Sequence, residues 1–147
     1  MTRSTQVLLF LLFAGALGGT SCAPTQSWED LHAKSLDLAR QGRYGEAERL
    51  GREGLKVAEK RFGPDHPNTA RSLTDLADLY RIHMGKYAEA EPLYKQALAI
   101  WEKGQGSDHP EVATLLEKMA DLYKKTGRKE ETERAEARAK EIRSAKR

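Results

Sequence analysis

Apolar side chains recur along this chain at intervals of three and four. Leu73, Leu76, Ala77 and Tyr80 stand at i, i+3, i+4 and i+7, and Leu116, Met119, Ala120 and Tyr123 repeat that stripe 43 residues later. Such spacing places one apolar face on a helix. Each stripe therefore predicts an amphipathic helix, here termed A. A second stripe, Ala90, Leu93, Tyr94, Ala97 and Trp101, predicts the B helix that follows, and Ala47, Leu50, Gly51, Gly54 and Ala58 hold the equivalent positions one unit earlier. Small residues at matching places let paired helices approach closely. Tyr44, Tyr80, Tyr87 and Tyr94 then read as core, filling the space between turns and between neighbouring pairs.

The breaks agree with that division. Gly42, Gly85 and Gly127 each follow an A stripe and suit the left-handed residue that ends a helix. Pro67 and Pro110 suit the first turn of an A helix, with Asp65 and Asp108 expected to cap its free amides. His66 and His109 lie one repeat apart, with neither a cysteine nor a close histidine partner beside them. They read as structural turn residues and not as metal ligands.

Whole blocks repeat as well. Gly42-Arg43-Tyr44-Gly45-Glu46-Ala47-Glu48 returns as Gly85-Lys86-Tyr87-Ala88-Glu89-Ala90-Glu91, and Ala77-Asp78-Leu79-Tyr80 returns as Ala120-Asp121-Leu122-Tyr123. A helical repeat of this length predicts an all-α solenoid, whose usual product is a binding surface and not a catalytic pocket. About three antiparallel pairs are expected, over 28–63, 67–106 and 110–143, within a domain spanning 28–147.

Three departures from regularity carry expectations of their own. Arg81-Ile82-His83-Met84-Gly85 holds one residue more than Lys124-Lys125-Thr126-Gly127, which predicts a lengthened helix end or a local bulge. The last B segment replaces Tyr94, Leu98 and Trp101 with Glu136, Lys140 and Arg143, the polar outer face that a terminal solenoid element needs. It is expected to turn Ala135, Ala139 and Ile142 onto the third A helix and to cover Leu116, Met119 and Tyr123. Gly51 and Gly54 inside the first B helix each cost it roughly 1 kcal/mol relative to alanine, making the first pair the softest.

Ahead of the repeats the pattern changes. Val7 to Leu17 is an uncharged apolar run behind Arg3, followed by Gly18-Gly19-Thr20-Ser21 and then Cys22, the only cysteine in the chain. Eleven apolar residues are too few to span a bilayer as a helix but suit the core of an export signal, read here as residues 1–21. A lone exported cysteine is free, paired to another chain or chemically modified. The Thr20-Ser21-Cys22 junction resembles the lipobox of bacterial lipoproteins, although Gly19 stands where that family prefers an aliphatic residue. The resemblance implies a diacylglyceryl group on the Cys22 sulfur and cleavage just before it. The alternative is an ordinary cut nearby, for instance after Ala16. Ala23 in place of an aspartate implies outer-membrane residence facing the periplasm, with residues 22–27 as a short tether.

The repeat blocks, together with the Gly-x-Asp-His-Pro linkers at Gly63 and Gly106, resemble the tetratricopeptide repeat, in the long-period form found in kinesin light chain and in bacterial repeat proteins. That resemblance implies a right-handed superhelix whose A helices line a concave groove receiving a peptide or partner helix. It puts Arg71, Asp75, Asp78 and Arg81 on the groove in the second unit, and Glu117, Lys118, Asp121 and Lys124 in the third. Thr74 and Thr114 join them. These residues do not form the carboxylate clamp of the chaperone-binding relatives, and their alternating sign is expected to favour a partner carrying both charges.

Composition narrows the function further. No glycine-rich phosphate loop, metal-ligand cluster or nucleophile with a base is present, so an enzyme, a cofactor or a small-molecule substrate is not expected. The 147 residues carry 25 Lys and Arg against 22 Asp and Glu, and removing 1–21 takes away Arg3 and no acid. Signs alternate along the helices, which argues against nucleic acid. The expected partners are the membrane, through a lipid anchor, and an envelope protein whose identity the sequence leaves open. Two readings follow: an envelope-anchored adaptor binding a partner segment in its groove, or a structural or assembly subunit of an envelope machine, similar to pilotins.

Overall fold

The computed structural model describes residues 26–145, so Cys22 and the export signal lie outside the described residues. Six helices follow one another: α1 (Trp28–Arg40), α2 (Tyr44–Phe62), α3 (Pro67–Asp78), α4 (Tyr87–Gln105), α5 (Pro110–Lys125) and α6 (Lys129–Ser144). They form three antiparallel pairs: the end of α2 meets the start of α1 through Arg61 and Glu29 at 3.2 Å, the end of α4 meets the turn before α3 through Lys103 and Asp65, and the end of α6 meets the first turns of α5 through Arg143 and Thr114 at 3.4 Å. The all-α solenoid expected from the stripes is the architecture observed.

Helix starts follow local chemistry, with one correction. Ser27 caps α1, its side chain accepting from the Asp30 N–H at 3.1 Å. At α3 and α5 the capping residues are His66 and His109, not Asp65 and Asp108. A proline at the first helical position holds the residue before it extended, with ψ of 145° at His66 and 143° at His109. That residue is then the cap, and its ring Nδ1 accepts from the N–H of Asn68 at 3.1 Å or of Glu111 at 3.2 Å. The aspartates sit one residue too early to reach; Asp65 takes the Lys103 ammonium instead. Each imidazole is also held by an aromatic ring, His66 on Phe62 and His109 on Trp101.

The additional residue of the second A helix appears as a π-helical turn, Leu79–Met84. In the first and third pairs the residue after the terminal glycine donates to a carbonyl five residues back, Arg43 to Leu38 and Arg128 to Tyr123. Here Lys86 donates to Tyr80, six residues back, at 2.9 Å. Gly85, at φ 63°, ends the turn in the left-handed region, as Gly42 and Gly127 end the other two A helices.

The core has two parts. The larger joins α2, α3, α4 and α5 through Leu73, Leu76, Tyr80, Tyr94, Leu115, Met119 and Tyr123, with Tyr44 and Tyr87 half-buried against it. The smaller lies between α5 and α6, where Ala135, Ala139 and Ile142 cover Val112, Ala113, Leu116 and Ala120. Of the three residues expected beneath α6, only Leu116 is there. Met119 and Tyr123 sit on the other side of α5, facing the preceding pair, because α5 packs against both that pair and α6.

In the first pair, glycines bring α1 and α2 together. A Cβ built on Gly54 would lie 3.4 Å from the Leu31 Cβ, and one on Gly51 would lie 3.2 Å from the Ser35 Oγ. Trp28 ties α1 to the next pair, its indole N–H donating to the buried Ser72 hydroxyl at 2.7 Å.

Candidate functional site

The A helices α1, α3 and α5 stand side by side and enclose a cleft of about 470 Å³. His32 and Leu36 of α1 form one wall, Arg71, Thr74 and Asp75 of α3 the floor, and Glu111, Thr114, Leu115 and Lys118 of α5 the other wall. Trp101 closes it from α4, half-buried and stacked on His109 at 5.3 Å between ring centres. It also packs against both parts of the core.

Charges inside the cleft are mostly engaged. His32 Nδ1 lies 3.3 Å from the Asp75 carboxylate, linking the first pair to the second. Burial pushes the Asp75 carboxyl above its ordinary range, and His32 opposes that rise. Arg71 and Glu111 differ. Both are exposed at the mouth, and among the described residues neither side chain makes an ion pair or hydrogen bond.

Further along α3 and α5 the face closes on itself. Asp78 accepts from the Tyr94 hydroxyl, the Lys118 ammonium and, at 3.2 Å, the Arg81 guanidinium. Arg81 also donates to the Tyr94 oxygen at 2.9 Å and to Asp121. Burial drives the Tyr94 phenol far above its ordinary pKa, and the Asp78 charge adds to the rise. Two cations meet two carboxylates here, so this half of the face is neutral within itself. The Arg81 and Asp78 side chains are only 13% and 18% exposed, which makes the cluster a joint between pairs.

The residues expected on the groove thus separate. Arg71, Asp75 and Lys118 line the cleft, while Asp78, Arg81 and Asp121 form the joint, with Lys118 reaching it from the cleft wall. Glu117 is bound to Arg143 of α6, at 2.8 Å in one of two contacts. Lys124 borders a separate surface hollow with Gly127 and Arg128. His32 and Leu36 were missed because the first A helix carries no recognisable stripe, and Trp101 because a residue on a B stripe reads as core.

A second arrangement recurs with the repeat. Glu48 accepts from the Tyr80 hydroxyl at 2.8 Å and pairs with Arg52 and Lys86; Glu91 accepts from Tyr123 at 3.5 Å and pairs with Lys95 and Arg128. Cations lie over both rings, at 5.5 Å for Lys86 on Tyr80 and 4.4 Å for Arg128 on Tyr123. Burial and the Glu48 carboxylate push the Tyr80 phenol up to about 12. The glutamate and tyrosine both stand in the repeated blocks, which is why the contact recurs.

A tetratricopeptide repeat model matches residues 31–83 and again residues 81–145. The chain belongs to the tetratricopeptide repeat family. Members of this family are protein-interaction modules. Among solved structures, BtubC (BKLC) from P. vanneervenii superposes with a TM-score of 0.75 at 20% identity, over 80% of this chain and 46% of that one. Nearly identical TPR-like repeats assigned to a kinesin light chain of Podosopora anserina give 0.70 at 24% identity, over 79% and 55%. A point variant of those repeats gives the same score and identity, with 54% of its chain covered. This chain therefore spans about half the length of the structures it matches, and at these identities the likeness is one of fold. No curated protein matches the sequence. Among the described residues no helix is long and apolar enough to cross a membrane, and no group of His, Cys, Asp and Glu is arranged to hold a metal.

Proposed function

We propose that this tetratricopeptide repeat protein is an adaptor of the bacterial envelope, held to the outer membrane by acyl chains on Cys22 and binding a segment of a partner protein in the α1–α3–α5 cleft. The cleft carries the reading. It is the place on the A-helix face where an apolar wall, Leu36 and Trp101, meets Arg71 and Glu111, charges that make no ion pair or hydrogen bond among the described residues. A segment presenting an acid and a base beside one apolar side chain complements it, with an association rate that falls as salt rises.

Stacking of copies through the ends of the array has less support. Asp30, Lys34 and Asp37 stand on α1 where α3 has Ser72, Leu76 and Leu79, and all three are exposed. Glu136, Lys140 and Arg143 do the same on α6. At these positions neither terminal helix offers an apolar side chain to another array.

The test has two arms. Intact mass of membrane-extracted protein should show acyl groups on Cys22, and Cys22→Ser should release the domain from the membrane. Arg71→Glu combined with Glu111→Lys should abolish partner recovery from envelope extracts while circular dichroism stays unchanged. Asp78 is unsuitable for reversal, since its loss breaks the joint. Undiminished recovery with the reversed pair would remove the cleft from the mechanism.

A further inference from the structure

We infer that the cleft opens on the membrane-proximal edge of the array, the edge where α1, α3 and α5 begin, and that its occupant is the juxtamembrane segment of a second membrane-anchored protein. This rests on the lipidated Cys22 proposed above. Gln26 and Ser27 lie beside Val57, Lys60 and Arg61, so the chain leaves the array where α2 ends and α1 begins. The five residues Ala23 to Ser27 reach at most about 17 Å, whatever their arrangement.

The cleft runs from that same edge to about the middle of the A helices. His32 and Leu36 are four and eight residues beyond Trp28, about 6 and 12 Å along α1. Glu111 and Thr114 fall in the first two turns of α5, and Trp101 in the last two turns of α4. The α1 wall is therefore within about 30 Å of Cys22. Lys125, at the opposite end of α5, is about 16 Å farther along its helix than Thr114.

Placement selects the partner. Two charged contacts and one apolar wall give modest affinity to a freely diffusing protein. Confining both molecules to one surface converts weak binding into an encounter at high effective concentration. With the chain leaving from this edge, a segment just emerging from the bilayer meets the cleft before it meets the opposite edge.

For the test, acylated full-length protein is reconstituted in vesicles of phosphatidylethanolamine and phosphatidylglycerol, with a donor dye on Thr114→Cys or on Lys125→Cys and an acceptor on the lipid headgroups. Transfer should be severalfold stronger from position 114. Equal or reversed transfer overturns the inference while leaving the adaptor reading intact; an unacylated Cys22 overturns both. The occupant is tested with a photocrosslinker at Thr114 in cells, comparing the native tether with one carrying 20 Gly and Ser residues between Thr25 and Gln26. Such an insertion adds about 25 Å of root-mean-square reach. The partner peptide joined to position 114, read by mass spectrometry, should flank the partner's own membrane anchor, and the yield of product should fall severalfold on the longer tether. A crosslinked peptide from a partner with no membrane anchor, or a yield indifferent to tether length, refutes the proposal.

Discussion

The first and third helix pairs close opposite ends of the same array by different means. In the third pair α6 buries only Thr132, Ala135, Ala139 and Ile142, and its hold comes from running alongside α5 over its length. In the first pair α1 buries just Trp28 and Leu31. It too runs close along α2, where two glycines face it, and it adds one large residue at its start that reaches Ser72 of α3. One terminal helix is thus held by small contacts alone and the other by small contacts and an anchor, and the two should respond differently to substitution.

The largest effect is expected from removing the seam. Deletion from Gly127 onward uncovers Val112, Ala113, Leu116 and Ala120, a loss on the order of 5 kcal/mol by the apolar area exposed. Thermal unfolding and light scattering should show a lower midpoint and aggregation; retained solubility and melting temperature would disprove the covering role of α6. No single substitution within α6 should approach this cost.

The anchor should behave otherwise. Trp28→Ala is expected to cost about 3–4 kcal/mol, from the cavity and from a lost partner for Ser72. Trp28→Phe keeps most of the bulk and should cost about 1 kcal/mol. A denaturant midpoint unmoved by Trp28→Ala would mean that α1 is held elsewhere.

Caps come next. Ser27→Ala at the start of α1 and His109→Ala at the start of α5 should each lower stability by about 1 kcal/mol, with His109→Asn restoring most of it. An asparagine with no such effect would show that the stack on Trp101, and not the hydrogen bond, is what matters at His109.

The smallest change has the opposite sign. Gly54→Ala places its methyl at ordinary contact distance from Leu31 and should stabilise the first pair by up to about 1 kcal/mol. Gly51→Ala should give no gain, because its methyl would crowd Ser35, which is fixed by its hydrogen bond to the Ala47 carbonyl at 2.8 Å. Equal gains at both positions would show that α1 yields to α2 more readily than the seam of the third pair would.

Repetition made the fold legible: stripes, glycines and prolines each returned on schedule, and the helices follow them. Charge pairing was not legible. The repeat makes Asp78 and Asp121 equivalent, 43 residues apart, yet the contacts across α3 and α5 join Asp78 to Lys118 and Arg81 to Asp121, both 40 apart. Neighbouring A helices are offset by nearly one turn, and that offset depends on how side chains interlock at the interface, which periodicity within one helix does not contain. The capping histidines were hidden for a simpler reason. Aspartate is the better cap in general, but proline fixed which residue stood in the capping position.

The π-helical turn at Leu79–Met84 has a meaning for the history of such chains. One more residue in a regular helix rotates everything after it by about 100°, which would have turned the stripe of α4 away from its partners. Confined to the last turn before Gly85, the insertion leaves α4 in phase, with Ala90, Tyr94 and Ala97 all buried. The end of an A helix is thus a place where a repeat can gain or lose a residue without disturbing its neighbours. Copies of the unit can drift in length while the array they build stays continuous.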